Sequence, residues 1–350
     1  MIVTRTPFRI TLGGGGTDLP AYYMKYGGFI FAAGIDKYMH ISLDKTSDDS
    51  LRIRHFASET VRHRDKVKHD VTREALRMAD IDKGMEIISL ADIPAGTGLG
   101  FSGCYVTGLL NALYAWQGIS KSSYDLAEDA CRLEIDILRL PVGKQDQYMA
   151  AFGGLTVLEI ERRGKIKVRK ATVTEEVARD LNRNMLMFYT HSRRSASAIL
   201  SEQNNRLEKD DVETIENMHS IKKIGYQILA AAESGNITDI GLLFDQHWQN
   251  KKKTAVKISN SHFDEIYEIG KAQGALGGKI CGAGGGGFFL FYVENKHVEF
   301  TEKMEKLGLL PMKYVFNFEG STVFRNSGNG SISKKSSFLD GDGVIKKKER

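Results

Sequence analysis

Glycine is the residue type that most constrains how this chain folds. The sequence holds 36 glycines against five prolines, and many of the glycines fall into three clusters, at residues 13–16, 96–103 and 277–287. Glycine adopts positive φ angles at no steric cost and lets two backbones approach each other closely. A turn explains one or two glycines, so clusters of four or more predict loops that hold a ligand with the main chain.

The second cluster has the sequence context of an anion-binding loop. Residues 85–90 read as a strand and 103–117 as an apolar helix, with the glycines between them. Main-chain N–H groups at the start of a helix, helped by the helix dipole, bind phosphate. Residues 98–103 also match the GxGxxG spelling of dinucleotide-binding oxidoreductases, which require an acidic residue at the end of a second strand. The candidate acid, Asp125, instead opens a predicted helix, which disfavours that alternative.

Hydrophobic periodicity outlines both halves of the chain without regular βαβ alternation, which favours an α+β fold over a doubly wound sheet. The predicted strands cover residues 2–12, 29–35, 38–43, 51–56, 85–90, 154–160, 185–190, 288–293 and 312–317. The predicted helices cover 19–26, capped by Thr17 or Asp18, and 66–80, 103–117, 126–140, 194–207, 211–234, 237–249, 261–273 and 297–307. We predict two domains, residues 1–182 and 183–325, followed by a disordered basic tail over 326–350.

Charge and cysteine usage exclude several classes of protein. The last twenty residues carry six Lys/Arg and three Asp/Glu, which account for +3 of the net charge of +5 and leave no basic stripe typical of nucleic-acid binding. Cys104, Cys131 and Cys281 lie far apart, so neither a disulfide framework nor a zinc site is indicated. No apolar run is long enough for a membrane span, and we expect a cytoplasmic protein.

Three ordered motifs resemble those of the GHMP superfamily of small-molecule kinases. Residues 7–18 resemble its first motif, 94–104 its second and 279–289 its third. Within the superfamily, residues 5–9, 14–18, 35–38, 145–147, 257–262 and 274–279 resemble the bacterial D-glycero-D-manno-heptose 7-phosphate kinases. The resemblance covers about residues 2–325. It implies an N-terminal domain like the second domain of ribosomal protein S5 and a ferredoxin-like C-terminal domain.

The resemblance also implies roles for individual residues. The loop that binds ATP comprises Pro94, Ala95, Gly96, Thr97, Gly98, Leu99, Gly100, Ser102 and Gly103. Ser102 and Glu134 match the groups that hold Mg²⁺. Asp146 matches the catalytic aspartate that takes or orients the hydroxyl proton, with Arg9 and Lys144 nearby. The matched substrate-binding positions are Gly16, Thr17, Asp18, Gly284 and Gly285.

The implied activity is transfer of the γ-phosphate of ATP, with Mg²⁺, to a sugar or sugar phosphate. The expected acceptor is the anomeric C1 hydroxyl of D-glycero-D-manno-heptose 7-phosphate, giving the 1,7-bisphosphate used in nucleotide-heptose synthesis. Lys37, Arg193 and Arg194 are candidates for holding the distal phosphate by charge alone. Three alternatives stay open: a kinase for a fucose- or galactose-like sugar, an NAD-dependent oxidoreductase, and a kinase fold that binds nucleotide without turnover. We expect no nucleic-acid or membrane partner, and a homodimer is open.

One departure from the superfamily pattern bears on ATP binding. The second motif usually carries consecutive serines, whereas this chain has Phe101, Ser102, Gly103 and Cys104. Loss of the flanking hydroxyls implies fewer donors to the β- and γ-phosphates. Phe101 narrows the site if its ring points into the loop.

Overall fold

The computed structural model describes residues 1–55, 57–192, 196–326 and 332–335. The strands in this part of the chain are β1 (Ile2–Gly13), β2 (Gly28–Lys45), β3 (Leu51–Arg54), β4 (Ser58–Val61), β5 (Met85–Ala91), β6 (Leu155–Ile160), β7 (Ile166–Lys170), β8 (Met185–Tyr189), β9 (Ala275–Ile280), β10 (Phe288–Val293), β11 (Leu310–Pro311), β12 (Thr322–Asn326) and β13 (Ile332–Lys335).

The helices come largely in consecutive runs, with one π-helical segment at Arg132–Ile137 and 3₁₀ turns at Arg64–Lys66 and Val256–Ile258. The α-helices are α1 (Pro20–Tyr26), α2 (Asp70–Met78), α3 (Phe101–Trp116), α4 (Ser123–Cys131), α5 (Gln145–Phe152), α6 (Glu175–Asn184), α7 (Ala196–Glu208), α8 (Val212–Ser234), α9 (Ile237–Lys252), α10 (Ser261–Ala272) and α11 (His297–Lys306).

The long strand β2 organises the larger of two sheets. The order of this sheet is β13-β12-β1-β2-β5-β3-β4, and β6 and β7 extend from the other half of β2. The first half of β2, FIFAA, is buried on both faces because helices α5 and α8 contact it, while the second half alternates buried and half-exposed residues. The sequence predicted two strands here, and the structure joins them into one.

A second, four-stranded antiparallel sheet has the order β11-β8-β10-β9 and packs against α6, α9 and α10. Its strand β10, FFLFYV, is buried at every position. The central helix α3 is apolar around most of its circumference and packs against β1 and β2 of the larger sheet. Most strand pairs are antiparallel, so the predicted α+β class is confirmed.

Several elements differ from those that the sequence predicts. Helix α5, which begins at Gln145, was not predicted, and neither were β7, β9 and β12. The strand expected at 312–317 is wrong: this segment makes one isolated bridge, between Phe316 and Ile35, and the ladder is formed later by β12 against β1. Short strands and a helix of eight residues carry too little periodicity to be recognised from sequence.

The predicted helix at 126–140 changes its winding part-way. Its first two turns are α-helical, and a π-helical segment follows, in which the Leu138 N–H donates to the Leu133 carbonyl five residues earlier. The wider winding rotates the side chains that follow relative to an α-helix, and Ile137 is exposed. Glu134, inside this segment, is buried.

The division of the chain into domains stays a prediction. Residue 182 lies inside α6, and β12, from the last part of the chain, pairs with β1 in the larger sheet. Of the predicted tail, Ile332–Lys335 form β13 against β12, and residues 327–331 and 336–350 lie outside the described residues. In the described part of the chain, no helix combines the length and hydropathy needed to cross a bilayer.

Candidate active site

A cavity of about 310 Å³ lies where the three glycine clusters meet. Strand β1 contributes Arg9, the loop before α1 contributes Asp18, and the first turn of α5 contributes Asp146. The remaining walls come from the loop between β5 and α3, from helices α7 and α9, and from residues 279–283 around the end of β9. Its volume is within the range of small-ligand sites.

The loop before α3, residues 94–100, has the backbone of an anion-binding turn. Gly96, Gly98 and Gly100 all have φ between 77° and 87°, and Gly100 is the N-cap of the 16-residue helix α3. A Cβ on Gly98 would overlap the Cys281 carbonyl, and one on Gly282 would overlap Gly98. The second and third glycine clusters therefore pack backbone to backbone, which only glycine permits.

A buried carboxylate lies beside the start of this helix. Glu134 has no exposed surface; the Ser102 hydroxyl donates to its Oε1, and Gln147 Nε2 donates to its Oε2 at 2.6 Å. Burial raises the pKa of Glu134 to about 7, the two hydrogen bonds oppose this, and the charge of Asp146 adds to it. Glu134 forms no ion pair with any side chain in the described ranges, so its charge has no protein cation to balance it.

Asp146 and Arg9 form a buried pair at the centre of the cavity. Arg9 is 3% exposed, and its Nε and Nη2 donate to Asp146 Oδ1 at 2.9 and 2.6 Å. Its Nη1 donates to the Gly98 carbonyl at 2.7 Å. One guanidinium thus fixes Asp146 relative to the glycine loop, while about a quarter of the Asp146 side chain remains accessible from the cavity.

Asp18 lines the same cavity and is bound to Gln145, the residue before Asp146. Its Oδ1 accepts the Gly16 N–H at 3.1 Å and its Oδ2 accepts the Gln145 N–H at 3.1 Å. Burial raises the pKa of Asp18 to about 6, against the effect of these hydrogen bonds. The helix cap predicted for Thr17 or Asp18 is wrong, because the N-cap of α1 is Leu19, without a side-chain cap.

Some predicted site residues lie away from the cavity. Lys144 Nζ donates to Glu128 Oε1 at 3.2 Å and to the Gly164 carbonyl at 3.0 Å, which directs it away from Asp146. The buried Thr17 hydroxyl binds the carbonyls of Gly14 and Phe29, both at 2.8 Å. These contacts give Lys144 and Thr17 structural roles, because their polar atoms are engaged with the protein.

The structure also gives packing or main-chain roles to glycines that were predicted to bind substrate or ATP. Gly284 and Gly285 do not line the cavity, and the Gly285 N–H donates to the Ile258 carbonyl at 2.8 Å. Gly103 lies in the first turn of α3, where a Cβ would overlap Asp146. Its role is to let α3 and α5 approach, which explains why serine is not found there.

The candidates for the distal phosphate also change. Lys37 Nζ is 3.4 Å from Asp36 Oδ1 and does not line the cavity, and Arg193 and Arg194 lie outside the described residues. The sequence analysis missed His247, Lys251 and Lys279, which line the cavity and are buried. The position of Lys279 in the third motif, two residues before Cys281, was a signal for the site. His247 and Lys251 gave no such signal, because residues 247–253 have the polar composition of a solvated helix end.

A second cavity adjoins the first at the glycine loop. It measures about 340 Å³ and is lined by Met39, His55, residues 89–95 and Phe101. Phe101 and Ala95 line both cavities, so the Phe101 ring lies at the junction and not inside the loop. No cluster of three or more His, Cys, Asp or Glu able to hold a metal occurs among the residues described.

Comparison with known proteins identifies the family of this fold and site. The family models "GHMP kinases N terminal domain" and "GHMP kinases C terminal" match residues 65–154 and 228–306. The D-glycero-alpha-D-manno-heptose 7-phosphate kinase of Campylobacter jejuni is 30% identical over 338 residues, which are 93% of this chain and 99% of that protein. The chain belongs to the GHMP kinases.

The predicted resemblance is thereby confirmed, and the protein is an ATP-using kinase whose acceptor is an alcohol group. The Asp125 required by the oxidoreductase alternative lies in the first turn of α4, where its N–H binds Ser122. It is not at the end of a second strand, so this GHMP kinase does not meet the requirement of a dinucleotide fingerprint.

Solved structures agree on the fold. A D-glycero-D-manno-heptose 1-phosphate kinase from Bacteroides thetaiotaomicron superposes with a TM-score of 0.77 at 24% identity, covering 93% of this chain and 99% of that one. Lactococcus lactis galactokinase, solved with galactose, superposes with a TM-score of 0.72 at 17% identity, covering 92% and 95%. These likenesses confirm the predicted GHMP kinase fold.

Proposed function

We propose that this GHMP kinase transfers the γ-phosphate of ATP to the anomeric C1 hydroxyl of D-glycero-D-manno-heptose 7-phosphate. The product is the 1,7-bisphosphate, an intermediate for nucleotide-heptose synthesis. One observation carries the proposal: Asp146, held by Arg9, opens into a cavity shared by the glycine loop and Asp18. The extent of the match to the Campylobacter jejuni heptose 7-phosphate kinase supports the choice of sugar. Because the donor is ATP, we place the reaction in the cytoplasm.

The nucleotide is assigned to the two adjoining cavities. The polyphosphate lies against the main chain of residues 96–103 at the start of α3, and the base enters the second cavity beside Met39 and Phe101. The Ser102 hydroxyl donates to Glu134, so the main-chain N–H groups of the loop remain as donors for the phosphates. A pocket lined by both apolar and polar side chains beside a phosphate loop suits a nucleotide base.

The residues around Glu134 fit a magnesium ion. Mg²⁺ takes hard oxygen ligands, usually one or two protein groups together with substrate phosphates. Glu134 Oε1 and the Ser102 hydroxyl are adjacent oxygens at the helix start, and the buried carboxylate lacks a cation. A bound Mg²⁺ would neutralise charge on the transferring phosphate.

Asp146 and Arg9 act on the acceptor. Arg9 donates two hydrogen bonds to Oδ1 of Asp146, and Oδ2 accepts no hydrogen bond from the described residues. Oδ2 is therefore available to take or orient the proton of the sugar hydroxyl. Phosphoryl transfer depends mainly on aligning the acceptor hydroxyl with the phosphate. Arg9 contributes to this alignment because it binds both Asp146 and the Gly98 carbonyl. Asp18 is placed to hold neighbouring hydroxyls of the sugar.

The proposal is tested by supplying ATP and Mg²⁺ with a panel of acceptors and following ADP release. The panel contains heptose 7-phosphate, unphosphorylated heptose, mannose, fucose and galactose. We expect the highest kcat/KM with heptose 7-phosphate. A higher value with fucose or galactose would assign a different sugar, and nucleotide binding without sugar-dependent ADP would overturn catalysis by this chain.

A further inference from the structure

Three basic side chains cover the inner wall of the first cavity. His247 and Lys251 lie one turn apart on α9, and Lys279 lies on the neighbouring strand β9. They are 2%, 7% and 3% exposed, respectively, and all three line the cavity that contains Asp18 and Asp146. Buried basic groups are rare unless they are paired with an acid or serve a ligand.

None of the three has an acidic partner within the described ranges. Lys279 Nζ donates to the Leu12 carbonyl at 2.6 Å and lies 4.5 Å from the centre of the Phe244 ring. Lys251 Nζ donates to the carbonyls of Ile280, at 3.3 Å, and Gly282. Each ammonium thus keeps hydrogen-bonding capacity that the protein does not use, because an ammonium group has three N–H donors.

His247 provides an independent indication of a ligand. Both of its ring nitrogens are buried, and neither has a hydrogen-bond partner among the residues described. A buried polar atom without a partner is uncommon in a folded protein and costs stability. A ligand that carries both an anionic oxygen and a hydroxyl would satisfy the donor and the acceptor of the neutral ring together.

The electrostatics of the wall favour an anion. Burial and the positive charges of Lys251 and Arg9 lower the pKa of Lys279 to about 7, and burial lowers that of Lys251 to about 8. Burial lowers the pKa of His247, and the charges of both lysines add to this effect. A phosphate bound among these groups would raise the pKa values of the two lysines again, since an opposite charge stabilises the protonated lysine.

The wall reaches from the end of β1 to the third glycine cluster. Lys279 is tied to the end of β1, directly before the glycine loop that leads to Asp18, and so lies on the same side of the cavity as Asp18. Lys251 binds the carbonyls of Ile280 and Gly282, and Gly282 packs against Gly98 of the loop before α3. Since Asp18 repels phosphate and suits hydroxyl groups, the sugar ring fits between Asp18 and the basic wall.

We propose that Lys279, Lys251 and His247 form the subsite for the distal phosphate of a phosphorylated sugar. The subsite makes the enzyme select sugar phosphates over free sugars. This inference rests on the proposed function and adds the residues that determine its acceptor class.

The test compares Lys279→Met and Lys251→Met with the wild type, using Lys253→Met, an exposed position on the same helical segment, as the control. Each variant is assayed with heptose 7-phosphate and with unphosphorylated heptose. We expect the KM for the sugar phosphate to rise about tenfold or more with Lys279→Met, because a hydrogen bond to a charged group is lost. The KM for ATP should rise less than the KM for the sugar phosphate, and Lys253→Met should leave both unchanged. Lys279→Arg should restore part of the selectivity.

Two results would overturn the subsite. One is an unchanged preference for phosphorylated over free sugar in both methionine variants; the other is a rise in the KM for ATP equal to that for the sugar phosphate. Calorimetric binding of heptose 7-phosphate distinguishes failure of the subsite from failure of the proposed function, because binding is measured without turnover. Wild-type binding that Lys279→Met abolishes supports the subsite even without turnover, and no wild-type binding contradicts it. Melting curves confirm that each variant is folded.

Discussion

Burial determines what Glu134 can do as a single residue. With a pKa raised to about 7, the folded protein retains a proton that the unfolded chain has already released, so stability falls as pH rises from about 4.5 to about 7. We expect Glu134→Gln to raise the Tm of the metal-free protein by a few degrees at about pH 8 and to change it little at about pH 4.5.

The same substitution should abolish the effect of Mg²⁺ on ATP binding, because the carboxylate oxygen is lost. Calorimetric titration of ATP with and without Mg²⁺ checks this expectation in both proteins. If Glu134→Gln lowered the Tm at about pH 8 and kept the magnesium effect, Glu134 would be an ordinary structural carboxylate.

The basic wall predicts how sugar affinity depends on pH. Lys279 faces Arg9 from β1, His247 and Lys251 from α9, and Cys281 after β9. Its pKa of about 7 means that the free enzyme loses this charge as pH rises, so phosphate binding must take up a proton. The KM for a sugar phosphate should therefore rise above about pH 7, by up to about tenfold per pH unit for each proton taken up. Initial rates at varied sugar phosphate and pH measure this limb.

Lys279→Met should flatten that alkaline limb and leave the acid limb, which the phosphate's own second pKa of about 6 produces. A pH profile identical in the variant and the wild type would show that Lys279 does not titrate with binding.

Among the structural elements, the approach of α3 to α5 places Asp146, for which we propose the catalytic role. Gly103 allows this approach, because a side chain there would overlap Asp146. We expect Gly103→Ser, which restores the usual spelling of the motif, to destabilise the protein by about 1–3 kcal/mol and to lower kcat. Phe101→Ser is the matched variant, since Phe101 lies between two cavities; it should alter the KM for ATP with a smaller effect on kcat. Denaturant unfolding measures the stability of both variants, and initial rates give their kcat and KM. A Gly103→Ser enzyme with the stability and kcat of the wild type would contradict the role of Gly103 in the approach of α3 to α5.

The elements also show what the sequence could predict. The glycine loops and α3 were predictable, because strand, glycine cluster and apolar helix follow each other directly along the chain. The π-helical segment that contains the buried Glu134 was not, since one extra residue in a turn leaves no periodic signal. Resemblance to the superfamily identified Glu134, Asp146 and Arg9 as candidates, but their contacts depend on packing between distant segments. The basic wall was missed because a buried lysine and a solvated one look alike in a sequence.

At the scale of the whole molecule, both halves of the chain build the larger sheet and the cavity. Strand β12 pairs with β1, and Lys279 binds the Leu12 carbonyl. We expect a fragment of residues 1–182 to fold poorly on its own, because β1 loses β12 and α6 is cut. Circular dichroism and a melting curve of this fragment test the expectation, with the full chain as the control. A cooperative transition in the fragment would show that the predicted domain boundary marks an independent folding unit.

The central claim is that Asp146 handles the proton of a sugar hydroxyl beside phosphates held by the main chain. The most direct measurement is the rate at which Asp146→Asn forms heptose 1,7-bisphosphate, followed by phosphorus NMR, together with its calorimetric affinity for ATP. The account predicts a rate lower by about 10²- to 10⁴-fold with ATP affinity retained. A variant that forms the bisphosphate at the wild-type rate would contradict it.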